Sequence, residues 1–400
     1  MPSLAHFFNH LLFRWKWKRA RRKGRTLRLR LGGVREFLDA LNDAKISYVV
    51  LRWFDEVPLN AANERAATQD IDLLVDAARL EEIVQLASRH RGPVKCDLYS
   101  PTGRHATAFK KMPYYPPVLA DEILANRELF RSAFHVPKPD LHFKSLAFHL
   151  VYHKGTGSGI PTGTGLATDP NPARPYAALL EALGATLKIP LARPYTLLAL
   201  HDYLKSVEWS MPHDLMVRWP QQHDWMRWLA RHEEQLLEPF AKQLPHLMVF
   251  LLRADAVEPG MQEKAVELLQ SRFRVLKIES LGRSQIRRVM RSVRGGNWME
   301  HGKTQLVEPR VALICYDQNP KPVAADDPLR RKYPFVANAN AFFKNEARDR
   351  LNEAFPTKPK RVAIHGSDNA FEAQHYLQAI YGDRHAAVCD DLAQALSNPK

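Results

Sequence analysis

Asp70 and Asp72 stand in Gln69-Asp70-Ile71-Asp72-Leu73-Leu74-Val75-Asp76, an apolar run that reads as a β-strand. Side chains alternate across a strand, so the two aspartates share one face while Ile71 and Leu73 share the other. Two carboxylates roughly 7 Å apart on a rigid strand can hold one or two Mg²⁺ ions, which prefer hard oxygen ligands together with substrate phosphates. A solvated strand end can carry the same pair, so the surrounding elements have to supply the weight.

Those elements come in a defined order. Val34, Phe37, Leu38 and Leu41 recur at helical spacing, which predicts a helix over 34–44. A β-rich run at 46–52 is the first strand, the Asp-x-Asp strand follows, and a helix is expected over 78–90. A third strand at 94–99 carries one more carboxylate, Asp97. This order resembles the nucleotidyltransferase superfamily of polymerase-beta-like and antibiotic-modifying enzymes. The resemblance implies that Asp70, Asp72 and Asp97 are catalytic metal ligands, with Asp97 helping to activate the attacking hydroxyl. Nucleotidyl transfer depends mainly on metals that neutralise phosphate charge and align the reacting oxygens. The family usually has Gly-Gly or Gly-Ser after its first strand, where this chain reads Leu51-Arg52-Trp53-Phe54. Arg52 is then the expected phosphate contact at a place where Trp53 obstructs backbone approach.

Residues 141–245 read as a helical connector. His142, His149 and His153 lie on or near a helix over 141–153, with 149 and 153 at an i, i+4 spacing that allows a metal pair; with no third ligand evident, packed or solvated imidazoles are the favoured reading. Lys154 opens a Gly-, Ser- and Thr-rich stretch to Gly165, a flexible connector or a substrate-closing loop in which Lys154 would touch phosphate. No Gly-Lys-Ser/Thr is present, so it is not a P-loop.

Residues 246–395 change character. Strands are expected at 246–252, 273–278, 309–314 and 362–364, with helices over 261–272 and 283–292 and another after His365-Gly366-Ser367-Asp368-Asn369. The segment is similar to nucleoside diphosphate kinase, with His-Gly-Ser-Asp its most specific element, which implies a ferredoxin-like fold. By that resemblance His365 becomes phosphorylated, Glu300 orients its imidazole, and Ser367 and Asp368 support it from the same loop. Arg253 stands where the family has a phosphate-contacting lysine, and Lys344 and Arg348 are further phosphate contacts. Trp298 replaces the family's tyrosine and Val362 its asparagine.

The elements add up to a mixed α/β and α+β chain of 400 residues, long enough for several cores. The expected division is a basic aromatic arm (1–31), a nucleotidyltransferase-like domain (32–140), the helical connector (141–245) and a kinase-like domain (246–395). Net charge is +15, and ten Lys or Arg without a single acid fall in residues 1–30, leaving +5 for the rest. Aromatic residues interleave with these cations, a pattern for an anionic membrane surface or, less favoured, for nucleic-acid phosphates; a disordered basic tail has the same composition. No apolar run reaches the roughly 18 residues of a membrane span, and three distant cysteines fit a reduced, cytoplasmic protein peripheral to the membrane. The combined expectation is an Mg²⁺-dependent enzyme using nucleoside triphosphate and an unidentified acceptor, by analogy in surface-polysaccharide or glycoconjugate assembly. The alternatives are a nucleotide-binding regulator without turnover and an RNA-modifying or RNA-binding protein. Homo-oligomer formation is compatible with either.

Overall fold

The alternation of apolar and polar side chains along four short strands builds the first sheet, and the same alternation sets what each face carries. The computed structural model describes residues 4–23, 25–293, 307–324, 326–333, 335–357 and 361–398. The chain is mixed α/β and divides into two compact units, one of residues 1–211 with 218–226, the other of 212–217 with 227–400.

The first unit opens with α1 (Leu4–Lys23), β1 (Arg28–Leu31), α2 (Val34–Asp43) and β2 (Tyr48–Val50). It continues through α3 (Ala61–Ala66), β3 (Ile71–Val75), α4 (Leu80–Arg89) and β4 (Val94–Tyr99). The strands lie in the order β1-β4-β3-β2, with β3 and β4 parallel and the other pairs antiparallel. Leu29, Leu31, Tyr48, Val50, Leu73, Val75, Cys96 and Leu98 point to one face, where Val34, Phe37, Leu38 and Leu41 of α2 and Ile83, Val84 and Ala87 of α4 cover them. Each fully buried Leu, Ile or Val contributes about 1.5–3 kcal/mol, so this face fixes the register of every strand. The intervening residues, Arg28, Asp72 and Asp97 among them, are forced to the opposite face. Residues 28–31, counted above with the basic arm, are therefore an edge strand, and Phe13 of α1 is fully buried in the same core.

The unit continues with α5 (Pro117–Ala125), the hairpin β5 (Arg127–Phe130) and β6 (Phe134–Pro137), and α6 (Pro139–Phe148). The helix over 141–153 expected from the sequence is broken in character: α6 passes into a π-helical turn at His149–Lys154. Gly155 then ends it with a positive φ of 53°, a place where an added Cβ would meet the His223 ring at 2.4 Å. α7 (Tyr176–Thr186) and α8 (Leu197–Ser206) follow.

Beyond α9 (His213–Arg218), the second unit holds α10 (Asp224–Gln243), β7 (Leu247–Arg253), α11 (Met261–Gln270), β8 (Arg274–Ser280) and α12 (Arg283–Ser292). β9 (Pro309–Tyr316), α13 (Pro328–Lys332), α14 (Phe343–Ala354), β10 (Ile364–Gly366), α15 (Ala370–Tyr381) and α16 (His385–Ser397) complete it. Its sheet is antiparallel throughout, in the order β10-β7-β9-β8. Phe250, Leu252, Leu313, Cys315 and Ile364 form one core with Met261, Ala265 and Leu269 of α11 and Ala347 and Leu351 of α14. Both helices thus lie on the same face of the sheet.

Candidate active site

In the first unit, β3 and β4 run parallel with Asp72 directly opposite Asp97. Asp70 lies two residues ahead of Asp72 on the same side. The three expected carboxylates are thus brought together at one end of the sheet, and each meets a cation. Arg28 donates from Nε and Nη2 to the two oxygens of Asp97 at 2.6 and 2.7 Å, a bidentate pair, and its Nη2 also lies 3.3 Å from Asp70. Lys95 Nζ approaches Asp70 to 3.5 Å. Arg52 Nη2 donates to Asp72 at 2.5 Å.

The two arginine pairs differ in environment. The Arg28 side chain is half exposed, whereas that of Arg52 is 6% exposed and lies over the Tyr114 ring, 5.4 Å from its centre. Burial pushes the Asp72 carboxyl above its ordinary value, with Arg52 opposing the shift and Asp97 adding to it. Tyr114 carries the arrangement further into the unit. Its hydroxyl is hydrogen-bonded to His149 Nδ1 at 2.6 Å, and its carbonyl accepts from His153 Nε2 at 3.0 Å. Burial, aided by the Arg52 charge, holds His149 well below the ordinary imidazole range, and burial does the same to His153 against the pull of the Tyr114 carbonyl. Both histidines are buried and packed against Tyr114, as the packed-imidazole reading of their spacing expects. Lys154 sits over the Tyr176 ring at 5.9 Å and is lowered by burial and by Arg52, with Asp72 acting the other way.

Trp53 occupies the place after the first strand where the sequence lacks glycine. Its backbone is left-handed (φ 57°, ψ 47°), a conformation that glycine takes without strain and tryptophan does not. The ring is held between Tyr176, at 5.4 Å, and the Arg174 guanidinium, at 4.4 Å. Arg174 in turn pairs with Glu56. Arg52, Trp53, Gln69, Asp70 and Arg174 line a cleft of about 250 Å³. A second, more apolar cleft of about 470 Å³ lies on the other side of Trp53, walled by Phe54, Phe130, His142 and Leu183.

Among the described residues no three His, Cys, Asp or Glu side chains converge as a metal cage. The donors nevertheless suit a hard divalent cation: three carboxylates on one face, two of them in register on adjacent strands. The cation now shared by Asp70 and Asp97 is a half-exposed arginine, more open to solvent than the buried Arg52 on Asp72.

In the second unit His365 pairs with Leu251 across β10 and β7, on the face turned away from α11 and α14. Its ring stacks parallel to Tyr376 of α15 at 6.4 Å, and it is buried. Ser367 Oγ accepts from the Val249 amide at 3.1 Å. Lys344 donates to the Gly366 carbonyl at 3.0 Å and pairs with Asp368, so two of the expected contacts bind each other. Arg348 donates to the Ile364 carbonyl, and the buried Arg253 lies 3.9 Å from Asp255. Trp298 and Glu300 lie outside the described residues.

Arg28, Lys95, Arg174 and Tyr114 are the members that sequence reasoning missed. Arg28 had a signal: Arg28-Leu29-Arg30-Leu31 alternates as a strand does, but its cations had been assigned to the arm. No family model, curated protein or solved structure matches this chain.

Proposed function

We propose that the first unit is a nucleotidyltransferase-type domain that takes an Mg²⁺-bound nucleoside triphosphate and passes a nucleotidyl group to an acceptor hydroxyl. The observation that carries this reading is the in-register placement of Asp72 and Asp97 on parallel strands, with Asp70 beside them at the mouth of a cleft. Bound Mg²⁺ would be held by these carboxylates and would neutralise the phosphate charge. The chain's own residues supply the rest. On this reading Asp97 accepts the acceptor's proton, and Arg52 and Arg174, which line the cleft, give it a cationic side for phosphates.

In the second unit the strand order β10-β7-β9-β8, with α11 and α14 on one face, supports a ferredoxin-like, nucleoside diphosphate kinase-like reading. We assign it nucleotide binding, with phosphotransfer through His365 as the activity to test.

A second reading, nucleotide binding without turnover in the first unit, is favoured by the arginines on the carboxylates. One assay separates the two. Purified protein is incubated with α-labelled nucleoside triphosphates and Mg²⁺, and pyrophosphate release is followed alongside label transfer. Release that falls at least about a hundredfold in Asp97→Asn, with folding retained, supports transfer. Tight nucleotide binding with no release supports the second reading.

A further inference from the structure

The two faces of α1 have opposite fates. Phe13, Trp17 and Ala20 lie on its inner side: Phe13 is fully buried in the core of the first unit, and Trp17 and Ala20 pack against that core. Trp17 Nε1 donates to the His105 carbonyl at 2.6 Å, and Arg14 pairs with Glu81. The helix is therefore docked, and its orientation is fixed. Phe8, Leu11 and Trp15 recur at three- and four-residue steps on the opposite side and are 64%, 47% and 55% exposed. The same stripe continues into Lys18 and Arg22, flanked by Arg19, Arg21 and Lys23, all exposed. The helix contains no acid in its first turn and three cations in its last.

The other exposed large apolar side chains of the described residues, Leu129, Leu236, Ile278 and Tyr333, fall on separate elements, whereas these three form a line. We propose that the outer face of α1 is a docking surface for an anionic lipid bilayer. The apolar half lies at the acyl boundary and the cationic half among the headgroups. Charge decides the partner. An apolar stripe alone would suit a second copy of the chain, but facing helices would bring five exposed cations of each copy, Lys18, Arg19, Arg21, Arg22 and Lys23, together without an acid on either helix. A phosphate backbone would use the cations and leave Phe8 and Leu11 in water. A bilayer with acidic headgroups uses both, and two such signals together give firm but reversible attachment.

The test uses the full chain and sedimentation with two kinds of vesicle, phosphatidylcholine alone and phosphatidylcholine with roughly one-third phosphatidylserine. The expected result is retention on the acidic vesicles only, weakened by salt. Retention should fall about tenfold or more in a Phe8→Ser, Leu11→Ser, Trp15→Ser variant whose thermal midpoint is unchanged, since these side chains are exposed. Lipids brominated on their acyl chains should quench tryptophan emission in the wild type, and Trp15→Phe should remove that quenching even if the triple variant folds poorly. No retention of the wild type, or equal retention of a folded triple variant, overturns the proposal. So does a wild-type dimer that the triple substitution converts to monomer, or an affinity for single-stranded RNA exceeding that for the acidic vesicles.

Discussion

Arg28 and Arg52 neutralise neighbouring carboxylates in very different surroundings, and stability should report the difference. Removing Arg52 leaves Asp72 without its buried partner, and breaking such a pair destabilises by about 3–5 kcal/mol. Removing Arg28 takes the bidentate partner from the buried Asp97, but its own side chain is half exposed and leaves room for water, so the loss should be smaller than for Arg52 though larger than for an exposed pair. Urea unfolding of Arg52→Ala and Arg28→Ala checks this directly, and equal losses would contradict the assignment of environments. Arg28→Ala should also tighten Mg²⁺-dependent nucleotide binding several-fold, because a competing cation is gone; titration calorimetry with a non-hydrolysable nucleoside triphosphate reads it. Weaker binding would make Arg28 a ligand contact instead. The carboxylates were legible in the sequence because strand alternation alone puts Asp70 and Asp72 on one face. Arg28 was not, because charge density hid a four-residue strand. No local pattern shows that a tryptophan takes the left-handed turn at 53, since its stabilising partners Arg174 and Tyr176 are more than a hundred residues away.

At the scale of elements, the run from α6 through the π-helical turn carries neutral, buried histidines. Burial, with help from the Arg52 charge, lowers His142 from 6.5 to about 4. Between those values the unfolded chain binds a proton that the folded chain does not, so stability falls as pH drops from about 6.5 to 4. The full excursion for His142 is on the order of 3 kcal/mol. His142→Leu should therefore flatten the pH dependence of unfolding for the first unit over that window while changing it little above pH 7. Unfolding followed at pH 7.5 and 5.5 decides; an unaltered slope would show that His142 is solvated. Most strands and helices here were legible because their apolar periods are strong: the helix expected over 34–44 is α2, and the strand at 94–99 is β4. The π-helical turn was not legible: the partners of its histidines, such as Tyr114, lie more than thirty residues away in sequence. The stretch between the first two expected strands, for which the sequence predicts no element, contains α3, whose Asn60 cap accepts from the Asn63 amide and whose buried Glu64 accepts from the Gly33 and Val34 amides. That helix is held by tertiary hydrogen bonds rather than by an apolar stripe.

At the scale of the whole molecule, the proposals are of two nucleotide-handling units in one chain and of a bilayer-docking face on α1 in the first. Among the described residues no helix is long and apolar enough to cross a membrane. The second unit makes its own prediction. With γ-labelled ATP, a phosphohistidine at His365 requires the imidazole to leave its stacked position against Tyr376, so labelling should be slow and should vanish in His365→Ala. Acid-labile, base-stable label that survives this substitution would place the acceptor elsewhere. The central claim concerns the first unit, and nucleotide affinity with and without Mg²⁺ tests it most directly. The account predicts that Mg²⁺ tightens binding of a non-hydrolysable nucleoside triphosphate at least about tenfold in the wild type, and that Asp97→Asn abolishes the tightening while the protein stays folded. An affinity indifferent to Mg²⁺, or a folded Asp97→Asn protein that keeps the full effect, would contradict it.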